Sequence, residues 1–376
     1  MYYTTVNEER LNGTNALLDA LQKVEGYYSG VIDWLATMFD KKTGGFYMAT
    51  SGAKDPDIEP AIEMTVWGYN ILRDYTNALS TAPSTFIEGL IEFMNERQDS
   101  SSGLFIDKQG PANSREVARN QDAALNFFNA IGMQTKYIHP RNAAKSNTSA
   151  TVMPDYMKTP ESYVAWIENW DWEFGSWTAG DQAQSSLQYV DMLDPSNAEK
   201  YKTALFKWLE ARQFESGLYS PHYDFNSISG AFKVGLVYSH YSKLLPNHLA
   251  VIDSIFECYK TAKANNPFYV RNPISILNTL SRYDDEAKYK VQAGVIENID
   301  AILQSFGEFL CPDGAFSAKK NEAMRSFGGV VGSHGLNEGD IDATMMMLIA
   351  RKTLYKIFDI DAPYLNTDGF WDKIYS

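Results

Sequence analysis

A short turn that keeps returning between helical stretches restricts this chain more than any other feature. Residues 39–48, FDKKTGGFYM, set Gly44-Gly45-Phe46 behind a long amphipathic segment. The same Gly-x-aromatic triplet returns as Gly103-Leu104-Phe105, Gly175-Ser176-Trp177, Gly217-Leu218-Tyr219 and Gly314-Ala315-Phe316. Successive first glycines are 59, 72, 42 and 97 residues apart, so the last interval, about twice the others, marks a repeat that has lost its turn.

Before each turn, or its expected place, apolar residues recur at helical spacing beside a charged face: 15–38, 85–97, 160–171, 197–213, 249–264 and 288–309. After each comes a second kind of stretch: 59–75, 115–132, 179–193, 229–245, 271–283 and 339–358. These are richer in small residues and apolar on most sides in their second halves, as a buried helix is. Six helices with a charged face alternating with six buried ones predict an all-α chain of six helical hairpins. Closed on itself, that is an (α/α)6 toroid with inner and outer rings, one domain over residues 1–376. Glycine permits the sharp reversal through a positive φ, and the aromatic fills the gap between hairpins. The polar stretch 134–160 reads as a long surface loop within that domain.

Charge narrows the partners. A formal charge of −14 and a pI near 4.9 argue against nucleic acids and polyphosphates, which need a positive field. No apolar run approaches the roughly 18 residues of a membrane span, and MYYTTVNEERLNG lacks the basic start and apolar stretch of a signal peptide. Cys258 and Cys311 stand alone, with neither metal spacing nor a disulfide framework. The expectation is a cytoplasmic, soluble protein without metal or cofactor; its oligomeric state is open.

The turns CPDGAFS, TGGFY and SGLYS resemble those of the terpenoid cyclase and protein prenyltransferase toroids. The acidic, tryptophan-rich composition resembles the six-hairpin glycosidases and related polysaccharide lyases. Either resemblance covers most of the chain and implies the toroid. Asp340-Ile341-Asp342 ends in Ala343 where the cyclases carry a D-x-D-D run, and Cys311 with His334 does not reproduce the prenyltransferase zinc set. No catalytic residue carries over from either group.

In a toroid the inner helices gather their N-terminal ends at one mouth, and here those ends are acid-rich. Glu59 and Glu63 begin the first, Arg119 and Asp122 the second, Asp181 and Gln184 the third. Glu338, Asp340 and Asp342 begin the last, preceded by His334 in GGVVGSHGLNEGD. Capping of free N–H groups is the plain explanation for any one of them. Together they suit glycoside hydrolysis, where one protonated and one ionised carboxyl group flank the scissile bond. The expected catalytic set is therefore Asp340, Asp342, Glu63, Asp122 and Asp181, with His334 as a base in a lyase or epimerase variant. Sugar rings stack on aromatic faces, which makes Trp67, Trp170, Trp172, Tyr219, His222 and Tyr223 expected substrate contacts, with Trp170 and Trp172 the more exposed tryptophans; Glu59, Arg119, Gln184 and Glu338 are the expected polar substrate contacts. The ligand expected is an oligosaccharide or other small molecule. The alternatives are an isoprenoid-binding cyclase-like toroid and a non-catalytic binding toroid.

Overall fold

The computed structural model describes residues 15, 17–109, 114–140 and 153–376. In chain order its principal helices are α1 (17–27), α2 (Val31–Met38), α3 (Ile62–Tyr75), α4 (Ser84–Glu96), α5 (Ser114–Ala130), α6 (Pro160–Glu168), α7 (Ser176–Ser185) and α8 (Pro195–Arg212). There follow α9 (Phe225–His240), α10 (His248–Thr261), α11 (Pro267–Leu280), α12 (Asp285–Glu297), α13 (Ile299–Gly307) and α14 (Ile341–Ile357). Among the described residues the strands come as two tiny antiparallel hairpins, Phe39–Asp40 with Gly45–Phe46 and Ser326–Phe327 with Val330–Val331. The described residues are mostly helical, as the sequence pattern predicts, although the single helices expected over 15–38 and 288–309 are each broken in two. Much of the expected 134–160 loop, residues 141–152, lies outside the described residues.

Many helix starts are chemically marked. Asp194, Asp224, Asn266 and Asp284 each accept the backbone N–H three residues on, at 2.8–3.1 Å, and Thr159 forms a capping box with Ser162. Pro160, Pro195 and Pro267 occupy first helical positions, where a missing N–H costs nothing.

The chain divides into two compact units. Met1–Gln22, Thr151–Ser305 and Ala350–Asp361 make up the first, and Lys23–Ala150, Phe306–Ile349 and Ala362–Ser376 the second. At the core of the first unit, α9 packs against both α7 and α11. α7 and α9 approach so closely that a Cβ on Gly230 would strike the Ser176 side chain and one on Gly180 would lie 3.0 Å from the Gly230 carbonyl. In the second unit α3 packs on α5, and the recurring turns organise the contacts. Gly44, Gly103 and Gly314 have φ of 77°, 69° and 88°. The aromatic two residues on is fully buried each time, and its backbone N–H finds a side chain on the helix that follows: Phe46 on Thr65, Phe105 on Gln121, Phe316 on Thr344, at 2.7–3.1 Å. This explains why the turn recurs, since one polar helical residue per repeat satisfies the amide that the tight turn strands.

Gly217, in the first unit, has the same positive φ of 77° and buries Tyr219. Gly175 departs from the pattern. Its φ is −113°, and it is the residue on which α7 begins rather than a turn after a helix. The triplet there matches in letters only, so four of the five copies are the structural turn.

Candidate functional site

Chemistry-bearing residues converge most closely where the one-turn helix Thr50–Ala53 meets the long segment between Phe316 and α14, all within the second unit. Ala49 pairs with Asp340 as an isolated antiparallel bridge, and the Ile341 N–H donates to the Met48 carbonyl at 2.9 Å. Gly52 lies so near the Gly332 carbonyl that any Cβ there would collide with it. That glycine approach brings two acid-bearing segments face to face.

Four contacts result. The Ser51 N–H donates to Glu338 Oε2 at 2.8 Å, and the Ser51 hydroxyl donates to Glu338 Oε1. The His334 N–H donates to Ser51 Oγ at 2.9 Å. The His334 ring sits with Nε2 2.9 Å from Asp55 Oδ2. Ser51, Asp55, His334, Leu336 and Glu338 line one open cavity of about 450 Å³. Two carboxylates in unlike surroundings thus share a cavity. Glu338 is held by the backbone N–H and hydroxyl of Ser51, while Asp55 is paired with an imidazole.

Of the sequence-predicted residues, His334 and Glu338 belong to this cavity. Asp55 and Ser51 were not among them. The signal for Asp55 was the acid-rich stretch KDPDIEP directly ahead of the first buried helix.

Asp340 and Asp342 correct the expectation of a catalytic mouth. Asp340 is 0% exposed and accepts three backbone N–H groups, from Ala318, Met324 and Ala343, at 2.8–3.0 Å. It caps α14 and clasps two loop segments to it, so the capping explanation prevails. Burial pushes its carboxyl up to about 6, against those three hydrogen bonds. Asp342 is buried in the first turn of the same helix, which removes it from any mouth. Asp107, unremarked in the sequence, has a parallel role in the second repeat. It caps Ile62 of α3 at 2.9 Å, accepts from Asn120 of α5 at 3.2 Å, and is pushed to about 6 by burial.

A second cluster in this unit joins α3 and α5. Arg119 grips Glu63 through two hydrogen bonds, Nε to Oε2 at 3.0 Å and Nη2 to Oε1 at 2.7 Å. Its guanidinium lies 4.1 Å from the centre of the Phe327 ring, on the small hairpin of the same long segment. Trp67, one turn beyond Glu63, is partly buried, and Asp122 is exposed. Glu59 precedes the helix rather than beginning it, because α3 starts only at Ile62, after an extended Ala61. It pairs with Arg97 at 3.6 Å.

The first unit holds the remaining predicted residues. Asp181 is bound to Lys233 at 2.6 Å, and Gln184 and Trp170 are partly buried. Trp172, expected to be exposed, is 2% exposed and donates its indole N–H to the Ile167 carbonyl at 2.9 Å. Tyr219 is buried beside it as the turn aromatic, so neither can stack on a ligand. His222 stacks on Phe174, and Tyr223 lies on the wall of a different groove, between α10 and α12. Among the described residues no group of three or more His, Cys, Asp or Glu side chains is arranged to hold a metal ion. Nor is any described helix long and apolar enough to cross a membrane.

No family model matches the chain, and no curated protein matches it. Among solved structures, a glycoside hydrolase family 15 glucoamylase from Hypocrea jecorina aligns at 12% identity with a TM-score of 0.25. The alignment covers 92% of this chain and 62% of that one, so this chain spans less than two thirds of the length of the structure it matches. That likeness is too loose to carry fold or chemistry from one protein to the other.

Proposed function

We propose that this chain is a carbohydrate-active enzyme that breaks a glycosidic bond in the cavity between Thr50–Pro56 and His334–Glu338. One observation carries the reading: Asp55 and Glu338, two carboxylates with different partners, line the same open cavity. Glycoside cleavage needs that asymmetry, one group giving a proton to the leaving oxygen and the other staying ionised. The Asp55–His334 pair is the proton donor in this scheme. Glu338, held by Ser51, takes a proton from the attacking water as the C–O bond breaks. Exposed Leu336 offers an apolar face for a sugar ring.

The same reading puts the cavity at the mouth of a closed (α/α)6 ring. Its support is the six-fold alternation of helices and a contact inside the second unit. Gly314, in the last turn, lies against Gly30 at the start of α2 so tightly that a Cβ on Gly30 would be 2.7 Å from the Gly314 Cα. A closed ring of 376 residues should scatter with a radius of gyration of about 21 Å; a markedly larger value would mean an open array.

The functional test is a panel of neutral and acidic oligosaccharides incubated with the purified protein and read by product mass. Gain of water identifies hydrolysis, and an unsaturated product identifies elimination. No turnover on any member, or full activity in both Asp55→Asn and Glu338→Gln, overturns the proposal.

A further inference from the structure

A larger groove lies wholly within the first unit, between α10 and α12, with a volume of about 850 Å³. Small residues and one ring are part of its lining. Gly294 sits against the Phe256 ring so closely that any Cβ would strike it, and Ala250 and Ala293 line the same space. A glycine inside a helix costs roughly 0.5–1 kcal/mol relative to alanine, and here it lets α12 close on the Phe256 ring, which is itself 7% exposed. Two tyrosines stand on the walls, Tyr289 at 75% and Tyr223 at 50% exposure.

The polar lining has a definite sign. Five carboxylates, Glu215, Asp253, Glu257, Glu286 and Glu297, face two lysines. Both lysines are already paired, Lys290 with Asp253 at 2.7 Å and Lys260 with Glu297 at 3.7 Å. A net negative lining repels phosphates and acidic sugars. Aromatic faces beside hydrogen-bond acceptors suit a ligand with C–H faces and many hydroxyl donors.

We infer that this groove is a binding site for a neutral oligosaccharide, separate from the Asp55–Glu338 cavity. The inference rests on the carbohydrate reading for its ligand class alone. Tyr289 and Tyr223 clasp the chain of sugar rings, and the carboxylates accept from its hydroxyls.

Calorimetric titration of the full chain tests it, with neutral oligomers of six to eight hexose units (maltodextrin, cellodextrin and mannan series) as probes. A Glu338→Gln background keeps the probe from being consumed. The expected result is binding of at least one probe, weakened tenfold or more by Tyr289→Ala plus Tyr223→Ala. The same double change in the otherwise native chain leaves the rate on a single-sugar chromogenic glycoside unaltered. Both tyrosines project from the surface, so an unchanged melting curve should accompany the loss. The inference is overturned if no probe binds, if the double variant binds as tightly as its parent, or if an octalysine peptide binds there while the sugars do not. Loss of binding in a chain with no turnover on any substrate would leave this groove standing and sink the catalytic reading. Turnover lost through Asp55 and Glu338 with unaltered binding would do the opposite.

Discussion

Glu338 and Asp340 are two residues apart, both acidic and both buried just ahead of α14, yet their side chains enter different surroundings. Asp340 faces inward onto three backbone N–H groups drawn from two loops and a helix. Glu338 faces a cavity and is held by one serine, with a histidine–aspartate pair across the same space. The difference teaches that an acid at a helix start declares its role through its donors. A carboxylate saturated by backbone amides is a clasp, and one held by a side chain beside open space is available for chemistry.

The largest effect that would break this contrast is on stability. Asp340→Ala strands three buried N–H groups and should cost about 3–5 kcal/mol, read by denaturant or thermal unfolding. A near-native melt would mean the clasp is idle. The pH dependence sharpens the same point. Asp340, with its carboxyl raised to about 6, holds its proton more tightly in the folded than in the unfolded chain. Its contribution to stability is therefore complete below about pH 4 and is lost as pH rises through 6. The cost of Asp340→Asn should accordingly shrink by about 2 kcal/mol between about pH 4 and 6.5. A cost that grew with pH would reverse the assignment.

Glu338→Gln keeps the shape and one acceptor for Ser51, so it should fold and lose about 100- to 1000-fold in turnover, or roughly 3–4 kcal/mol of transition-state stabilisation. Asp55→Asn should lose a comparable or smaller factor, and equal activity in either would separate the cavity from the chemistry.

The smallest contrast concerns the turns. Gly314→Ala, at φ 88° with Gly30 Cα 2.8 Å from the added Cβ, should cost about 2–3 kcal/mol. Gly175→Ala, at φ −113° with Asp171 O 3.0 Å away, should cost about 1 kcal/mol or less. Equal costs would undo the distinction between the true turn and its look-alike.

Much of the fold was legible because it is periodic. The spacing of apolar residues marked most of the helices, and Gly44, Gly103, Gly217 and Gly314 announced four turns that the backbone adopts. Gly175 misled because the same three letters can open a helix as well as close one. The site was only partly legible. His334 stood out as a base and Glu338 as a substrate contact near a helix start, but the composition could not say that Asp340 would be ringed by amides from Ala318 and Met324, which are remote in sequence. Asp55 was missed because its partner lies 279 residues away and the contact depends on Gly52 meeting Gly332. Trp172 and Tyr219 read as ligand platforms, although the indole N–H had a nearby carbonyl to satisfy and the tyrosine was a turn plug.

One paired measurement bears most directly on the division between clasp and cavity: initial rate by product mass, together with the melting curve, for Glu338→Gln beside Asp340→Asn. The division predicts that Glu338→Gln melts like the parent and hardly turns over, whereas Asp340→Asn melts early and its folded fraction keeps near-parental turnover. An active Glu338→Gln beside a stable, inactive Asp340→Asn would contradict it.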